Sequence, residues 1–479
     1  MTGQPTLDAK NIAHLIDGSL ETSDESFDVI NPATGEAFTR CPDASRDQFE
    51  RAVGAARRAF AGWSKTGFEE RRDLLNRFCD AIQGRSDELA ALLTTEQGKP
   101  LAAAKAEIER AVYIVRHLIT IPIQPEVMCD DATGRVELRY KPLGVVGAIT
   151  PWNVPIIMAA PKIASALYTG NTIVLKPSPY TPLTTLRLGD IGRDIFPPGV
   201  LNILAGGNDL GQWMTEHPGI DKINFTGSVA TGKKVMASAS ANMKRLTLEL
   251  GGNDAAIVLN DVDPKAIAAR LFQAAFANSG QVCQAIKRLY VHQDVYEALA
   301  GELAAIARSV KVGDGFEEGV VCGPVQNRAQ YRHVLEILDD TASQPGVRIL
   351  AGGRAIDRPG YFIAPTVVAD IAEGTRLVDE EPFGPVLPVI RFNDLEDAIA
   401  RANDTRFGLG ASVWTNDLEK GAEVAARLES GVAWVNHHVG TAPEYPFGGI
   451  KESGMGRSNG EMGLKRNMEP QLIVLPPAA

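Results

Sequence analysis

No two cysteines in this chain are spaced as CxxC. The five present, Cys41, Cys79, Cys129, Cys283 and Cys322, are odd in number and widely dispersed. That argues against a disulfide framework and against a structural zinc site, and it favours a reducing compartment. No run of about 18 apolar residues occurs anywhere. The amino-terminal MTGQPTLDAKNIAH also lacks the apolar stretch of a signal peptide. A cytoplasmic protein with no membrane partner is therefore expected. Positive charge is in deficit as well: 48 lysines and arginines stand against 59 aspartates and glutamates, a formal charge of −11. Such a surface has no electrostatic footprint for nucleic acid or an anionic membrane, although local backbone dipoles can still hold an anion. Internal repeats are missing, and so is GxGxxG, the commonest dinucleotide fingerprint. No set of spaced ligands suggests a metal.

At 479 residues the chain is too long for one hydrophobic core, so two domains, with room for a small third element, are expected. Residues 1–45 suggest short strands and turns. Residues 46–118 are helical in pattern, with Leu74, Leu75, Phe78 and Ile82 at helical spacing. Over 121–141 the period changes to two, Val136, Leu138 and Tyr140 alternating with polar residues, which predicts a strand exposed on one face. From Gly144 onward GVVGAIT, NTIVLKPS, GVLNILAG and IDKINFTGS alternate with helical segments at 155–169, 182–195 and 208–217. That rhythm implies a parallel, doubly wound α/β sheet binding ligands at the carboxyl ends of its strands. A second α/β set follows Leu246, and the tail NMEPQLIVLPPAA holds one short strand without a local partner.

The chemistry gathers between Leu246 and Cys283. Glu249 leaves a β-rich run and meets Gly251-Gly252, while Cys283 follows the Gly280-Gln281 turn. A carboxylate and a thiol at two loop ends can supply a base and a nucleophile to one pocket. Taken singly, Cys283 is equally readable as an apolar filler and Glu249 as a surface carboxylate. Asn153, after Pro151-Trp152, is placed to donate to a developing oxyanion, or simply to close an Asx turn. In Phe225-Thr226-Gly227-Ser228 a strand gives way to a helix. Gly227 and Ser228 there suit a pyrophosphate at a helix N-terminus, or an ordinary turn with a serine cap. Lys176 ends NTIVLK, where it can meet a ribose or phosphate, or only solvent.

In register along the chain stand PWN at 151–153, KPSP at 176–179, FTGS at 225–228, LELGG at 248–252, GQVC at 280–283, EEPFGPV at 380–386 and PFGGIKESGMGR at 446–457. With these motifs the chain resembles the NAD(P)-dependent aldehyde dehydrogenase superfamily over essentially its whole length. The resemblance implies an aldehyde dehydrogenase-like fold: a Rossmann-type cofactor domain over 1–120 and 142–249, and an α/β catalytic domain over 250–448. It also implies a small β oligomerisation element from 121–141 and 466–479, serving a homodimer or homotetramer. It implies that Cys283 attacks a small-molecule aldehyde to give a thiohemiacetal and then, after hydride passes to NAD, a thioester. Asn153 would hold the oxyanion and Glu249 would activate the hydrolytic water. Trp152, Lys176, Gly227, Ser228, Glu381 and Phe383 would contact the cofactor, with Glu381 on the nicotinamide ribose and Phe383 against the ring.

Three departures bear on function. Pro179 stands where strongly NAD-selective members carry a glutamate, so NADP is expected to be tolerated beside NAD. Ser458 replaces a glutamate that often shares a proton path with a lysine, here Lys162, so no relay is assigned. Val154, Pro161 and Thr441 occupy positions that are usually aromatic, which predicts a wider tunnel without an aromatic box for a choline-like cation. His437 and His438 are read either as reaching the tunnel mouth or as surface and packing residues. A CoA-acylating semialdehyde dehydrogenase of the same fold, and a catalytically idle relative, are the alternatives. The presence of Glu249 favours hydrolysis.

Overall fold

The computed structural model describes residues 12–440 and 442–476. Thr441, and the ends of the expected cofactor and oligomerisation segments at 1–11 and 477–479, lie outside the described residues. The helical stretch 46–118 is four helices, Arg46–Trp63, Phe68–Gly84, Ser86–Gln97 and Leu101–Leu118. The first starts on a capping box in which Ser45 accepts from the Gln48 amide and Gln48 reaches back to Ser45.

The strands Val145–Ile149 and Thr172–Lys176 are buried along their whole length, as strands are when helices cover both faces of a parallel sheet. They sit inside the parallel order Leu201–Ile203, Thr172–Lys176, Val145–Ile149, Lys222–Thr226, Arg245–Glu249. His14–Ile16 and Ser19–Glu21 extend one edge antiparallel, and Gly454–Met455 extends the other. The chain runs outward from Val145–Ile149 to one side and then resumes on the other. The crevice at the carboxyl ends of Val145–Ile149 and Lys222–Thr226 is therefore a switch point, where α/β sheets take ligands. Helices Pro155–Tyr168, Leu183–Arg193 and Asn208–Glu216 fall where the sequence pattern puts them.

A second sheet has the order Arg348–Ala351, Thr366–Ala369, Val386–Phe392, Ile286–His292, Asp254–Val258, Gly410–Trp414, Val432–Val435. Buried clusters on its two faces, including Phe276 and Leu289 on one and Tyr290 and Val334 on the other, give this half its own core. Only Leu250–Asn253 separate the end of the Arg245–Glu249 strand from the start of Asp254–Val258. The carboxyl edge of one sheet thus abuts the amino edge of the next.

The region 121–141 differs from the single strand expected. It is a hairpin, Glu126–Asp131 and Gly134–Pro142, turning at residues 132–133. The tail strand Met468–Leu475, expected to lack a local partner, runs antiparallel to Gly134–Pro142 through eight partners, from Met468 opposite Pro142 to Leu475 opposite Arg135. Its partner is remote in sequence, so local pattern could show the strand but not the pairing.

Candidate active site

Glu249 is the last residue of its strand and is buried. Its Oε1 accepts from Ser458 Oγ at 2.9 Å, while Oε2, also buried, has no hydrogen-bond partner among the described residues. Burial pushes this carboxyl well above the usual range, against the opposing charge of Lys162, the Ser458 hydrogen bond and the charge of Arg457. Lys162 is itself lowered by burial and donates to Asn224 Oδ1 at 2.6 Å. Ser458 therefore touches Glu249 directly, a contact its position just after the motif did not disclose.

Cys283 precedes the strand Ile286–His292 and is half-buried. Its loop is bent by three successive left-handed residues, Asn278 at φ 51°, Ser279 at 56° and Gly280 at 73°. Only glycine fits at 280, because a Cβ there would lie 2.0 Å from the Gly384 carbonyl oxygen. That close approach locks the EEPFGPV loop onto the nucleophile loop. Burial pushes the Cys283 thiol up to about 12. Lys287 opposes that rise, and the charges of Glu381, Asp254 and Glu249 add to it. Lys287 Nζ donates to the carbonyls of Val282 at 3.0 Å and Cys283 at 2.7 Å, and pairs with Glu381 Oε1 at 3.4 Å.

Asn153 is buried and its amide donates to the Gln281 carbonyl at 2.9 Å, so the PWN and GQVC turns meet. Asn278 Nδ2 returns a hydrogen bond to the Asn153 carbonyl at 3.0 Å. Beside this junction Trp152 and Phe383 pack edge to face, ring centroids 5.3 Å apart. Glu381 lies against the backbone just beyond Glu249: its Oε1 accepts from the Gly252 amide at 3.2 Å. A Cβ on Gly251 would fall 2.2 Å from Glu381 Oε2, so the glycine makes room for that carboxylate. Lys176 is buried rather than solvated, and among the described residues its ammonium donates to the neighbouring Pro177 carbonyl alone, at 3.2 Å. Ser228 is the N-cap of Val229–Ala239, accepting from the Thr231 amide at 3.3 Å. The Gly227 amide is spent on the Glu249 carbonyl at 3.1 Å, so an anion at this helix would meet the first-turn amides instead.

Six motifs scattered over the sequence are thus tied together at the seam between the two sheets, and KPSP ends a strand of the first sheet. The Aldehyde dehydrogenase family profile matches residues 20–473. The chain belongs to the aldehyde dehydrogenase family. It is 38% identical to Aldehyde dehydrogenase LUC3 of Fusarium sp over 471 residues, covering 98% of this chain and 100% of that protein. Among solved structures, a mutant aldehyde dehydrogenase from Bacillus cereus superposes with a TM-score of 0.96 at 34% identity, over 100% of both chains. The NAD+ complex of an aldehyde dehydrogenase from Bacillus cereus gives 0.94 at 35%, over 97% of this chain and 96% of that one. As an aldehyde dehydrogenase the chain is an oxidoreductase that oxidises an aldehyde. Among its described residues no helix is long and apolar enough to cross a membrane.

Other placements in this aldehyde dehydrogenase were less legible. His438 turns inward, its Nδ1 2.7 Å from Ser412 Oγ and its ring 4.9 Å from that of Trp434, while His437 is exposed. Lys99 and Glu107 form a buried ion pair that sequence reasoning passed over. Lys99 Nζ donates to the Asn153 carbonyl at 3.0 Å, and Glu107 Oε1 accepts from the Ile156 and Ile157 amides at 3.0 and 3.3 Å. The pair therefore seats the Asn153 turn and caps the helix that follows it. Glu107→Gln would keep an acceptor for those amides but strand the buried Lys99 charge, at a cost of roughly 3 kcal/mol. Thermal melts should fall by several degrees and kcat should fall with them. An unchanged melt would remove the pair from the support of Asn153.

Proposed function

We propose that this enzyme oxidises an aldehyde to its carboxylic acid with NAD, through a thiohemiacetal and then a thioester on Cys283, and hydrolyses the thioester with water activated by Glu249. The observation that carries this reading is the buried, unpartnered Glu249 Oε2 in the same seam as Cys283. A carboxylate shielded from solvent and raised toward neutrality is matched to taking a proton from a water. Asn153 and the Cys283 backbone amide would face the oxygen of the attacked carbonyl, as donors to an oxyanion do.

The seam also fits a nicotinamide dinucleotide. Gly251 leaves room for the Glu381 carboxylate, the Val229–Ala239 helix opens at the switch point, and buried Lys176 ends a neighbouring strand. Lys176, Gly227 and Ser228 would hold its adenosine and phosphate side, and Glu381, Phe383 and Trp152 its nicotinamide side. When bound, that cofactor accepts the hydride that turns a thiohemiacetal into a thioester. We read the first sheet as the cofactor-binding layer and the second as the layer that carries the nucleophile. The three-stranded sheet is then the oligomerisation element of a homodimer or homotetramer, which its exposed Met128, Leu472 and Val474 support. The five free, dispersed cysteines support the cytoplasm as its compartment.

Product analysis tests the reading. Incubated with a panel of aliphatic, aromatic and semialdehyde substrates and NAD, the enzyme should release free acid whether or not CoA is present. A CoA thioester as product would replace this reading with the acylating one.

A further inference from the structure

Pro179 removes a carboxylate from the expected adenosine side of the cofactor groove, yet the fold brings another acidic residue there from a distant part of the chain. Asp43 follows the strand Glu36–Pro42. The chain around it is stitched in place: the Asp43 amide donates to the Glu25 carbonyl at 2.9 Å and the Ala44 amide to the Ala205 carbonyl at 3.0 Å. The second of these bonds sets Asp43 beside the turn leaving Leu201–Ile203. Its Oδ1 lies 3.0 Å from where a Cβ on Gly206 would stand. Pro179, Asp43 and Gly207 line one cavity of about 620 Å³.

Lys176 belongs to the same neighbourhood, since its Cε lies 3.9 Å from where a Cβ on Gly211, in the helix Asn208–Glu216, would stand. Burial pushes the Lys176 ammonium down to about 8, and Asp43 is the carboxylate whose charge opposes that fall. Among the described residues the Asp43 carboxylate has neither a hydrogen bond nor an ion pair of its own. Of the other charges on the cavity, Asp28 pairs with Arg40 at 3.7 Å, and Arg328 and Arg332 are exposed on the helix Arg328–Ser343.

A carboxylate at the carboxyl end of a parallel sheet selects an unphosphorylated ribose by accepting from its hydroxyls, whereas a 2′-phosphate calls for a cation there. We infer that the Asp43 carboxylate accepts from the adenosine ribose and repels a 2′-phosphate, so that this residue sets a preference for NAD over NADP. The inference rests on the dinucleotide reading above and reverses the tolerance of NADP that Pro179 alone suggests. Removing the carboxylate leaves a 2′-phosphate facing Lys176 and the two arginines, with no opposing charge from residue 43.

The test is calorimetric binding of NAD and NADP to the full chain, with kcat/KM for each measured in parallel. The parent should favour NAD by both measures. In Asp43→Asn the NADP-to-NAD ratio should rise roughly ten-fold, as expected for one solvent-screened charge. Asp43→Ser should move it the same way if the asparagine variant folds poorly. An unchanged ratio in a variant that melts with the parent would overturn the role of Asp43 while leaving the enzyme an NAD-dependent one. A parent that favours NADP would overturn it too. A parent that binds neither dinucleotide would bring down the functional reading itself, and this inference with it.

Discussion

Cys283→Ala is expected to abolish aldehyde oxidation, lowering kcat by about 10⁴-fold or more, the scale on which loss of a covalent nucleophile removes turnover. Calorimetric binding of NAD should survive, because the residues that fit the cofactor stand on other segments. The size of the effect follows from the lack of a substitute. Cys41, Cys79 and Cys322 are buried, and Cys129 lies on the hairpin strand Glu126–Asp131, outside the seam. The parent enzyme should also show the mark of a raised thiol: alkylation of Cys283 by iodoacetamide should be slow at neutral pH and accelerate as the pH rises. In the presence of aldehyde and NAD, mass spectrometry should find an acyl group on the peptide containing Cys283. Turnover retained by the alanine variant, or an acyl group on another residue, would end the nucleophile assignment.

The parts of this fold that could be read from sequence are those in which one short stretch carries its own signal. Val145–Ile149 and Thr172–Lys176 are apolar on both faces because helices cover both sides of their sheet, and that composition is visible without coordinates. Ser228 announces a helix start because a hydroxyl at that place satisfies an otherwise free amide. The hairpin at 126–142 and its pairing with Met468–Leu475 are another matter. Register between strands more than 300 residues apart is decided by which faces meet in three dimensions, and alternation along one strand does not say which partner covers its edge. The site divides the same way. Glu249 and Cys283 stand in motifs and were legible. Lys99 and Glu107 were not, since the first looks like an ordinary linker charge and the second like an ordinary mid-helix one until the Asn153 turn descends on the pair. Asp43 is likewise unremarkable in sequence and comes to share a cavity with Pro179 and Gly207 through its hydrogen-bonded junction with the Ala205 turn.

Glu249→Gln should separate the two half-reactions. The first turnover should still release a burst of reduced cofactor. The steady state behind it should slow by about 10²- to 10³-fold, the contribution of a placed general base. A glutamine keeps an acceptor for Ser458 Oγ but cannot take a proton from water, so the thioester accumulates. The pH dependence carries a definite sign. Glu249 works as a base only when ionised, and burial raises its pKa, so the parent's steady-state rate should fall as the pH drops through that raised value. The glutamine variant should lack this limb. Stability runs the other way. A carboxyl with a higher pKa in the folded chain than in the unfolded one contributes stability below the unfolded pKa, and that contribution is lost as pH rises through the folded one. The melting temperature of Glu249→Gln, taken relative to the parent, should therefore increase as the pH is raised across that window. A variant whose burst and steady state slow equally would show that Glu249 serves acylation as much as hydrolysis. A melting difference flat with pH would show that its carboxyl is not the strained, desolvated group that the burial of Oε2 implies.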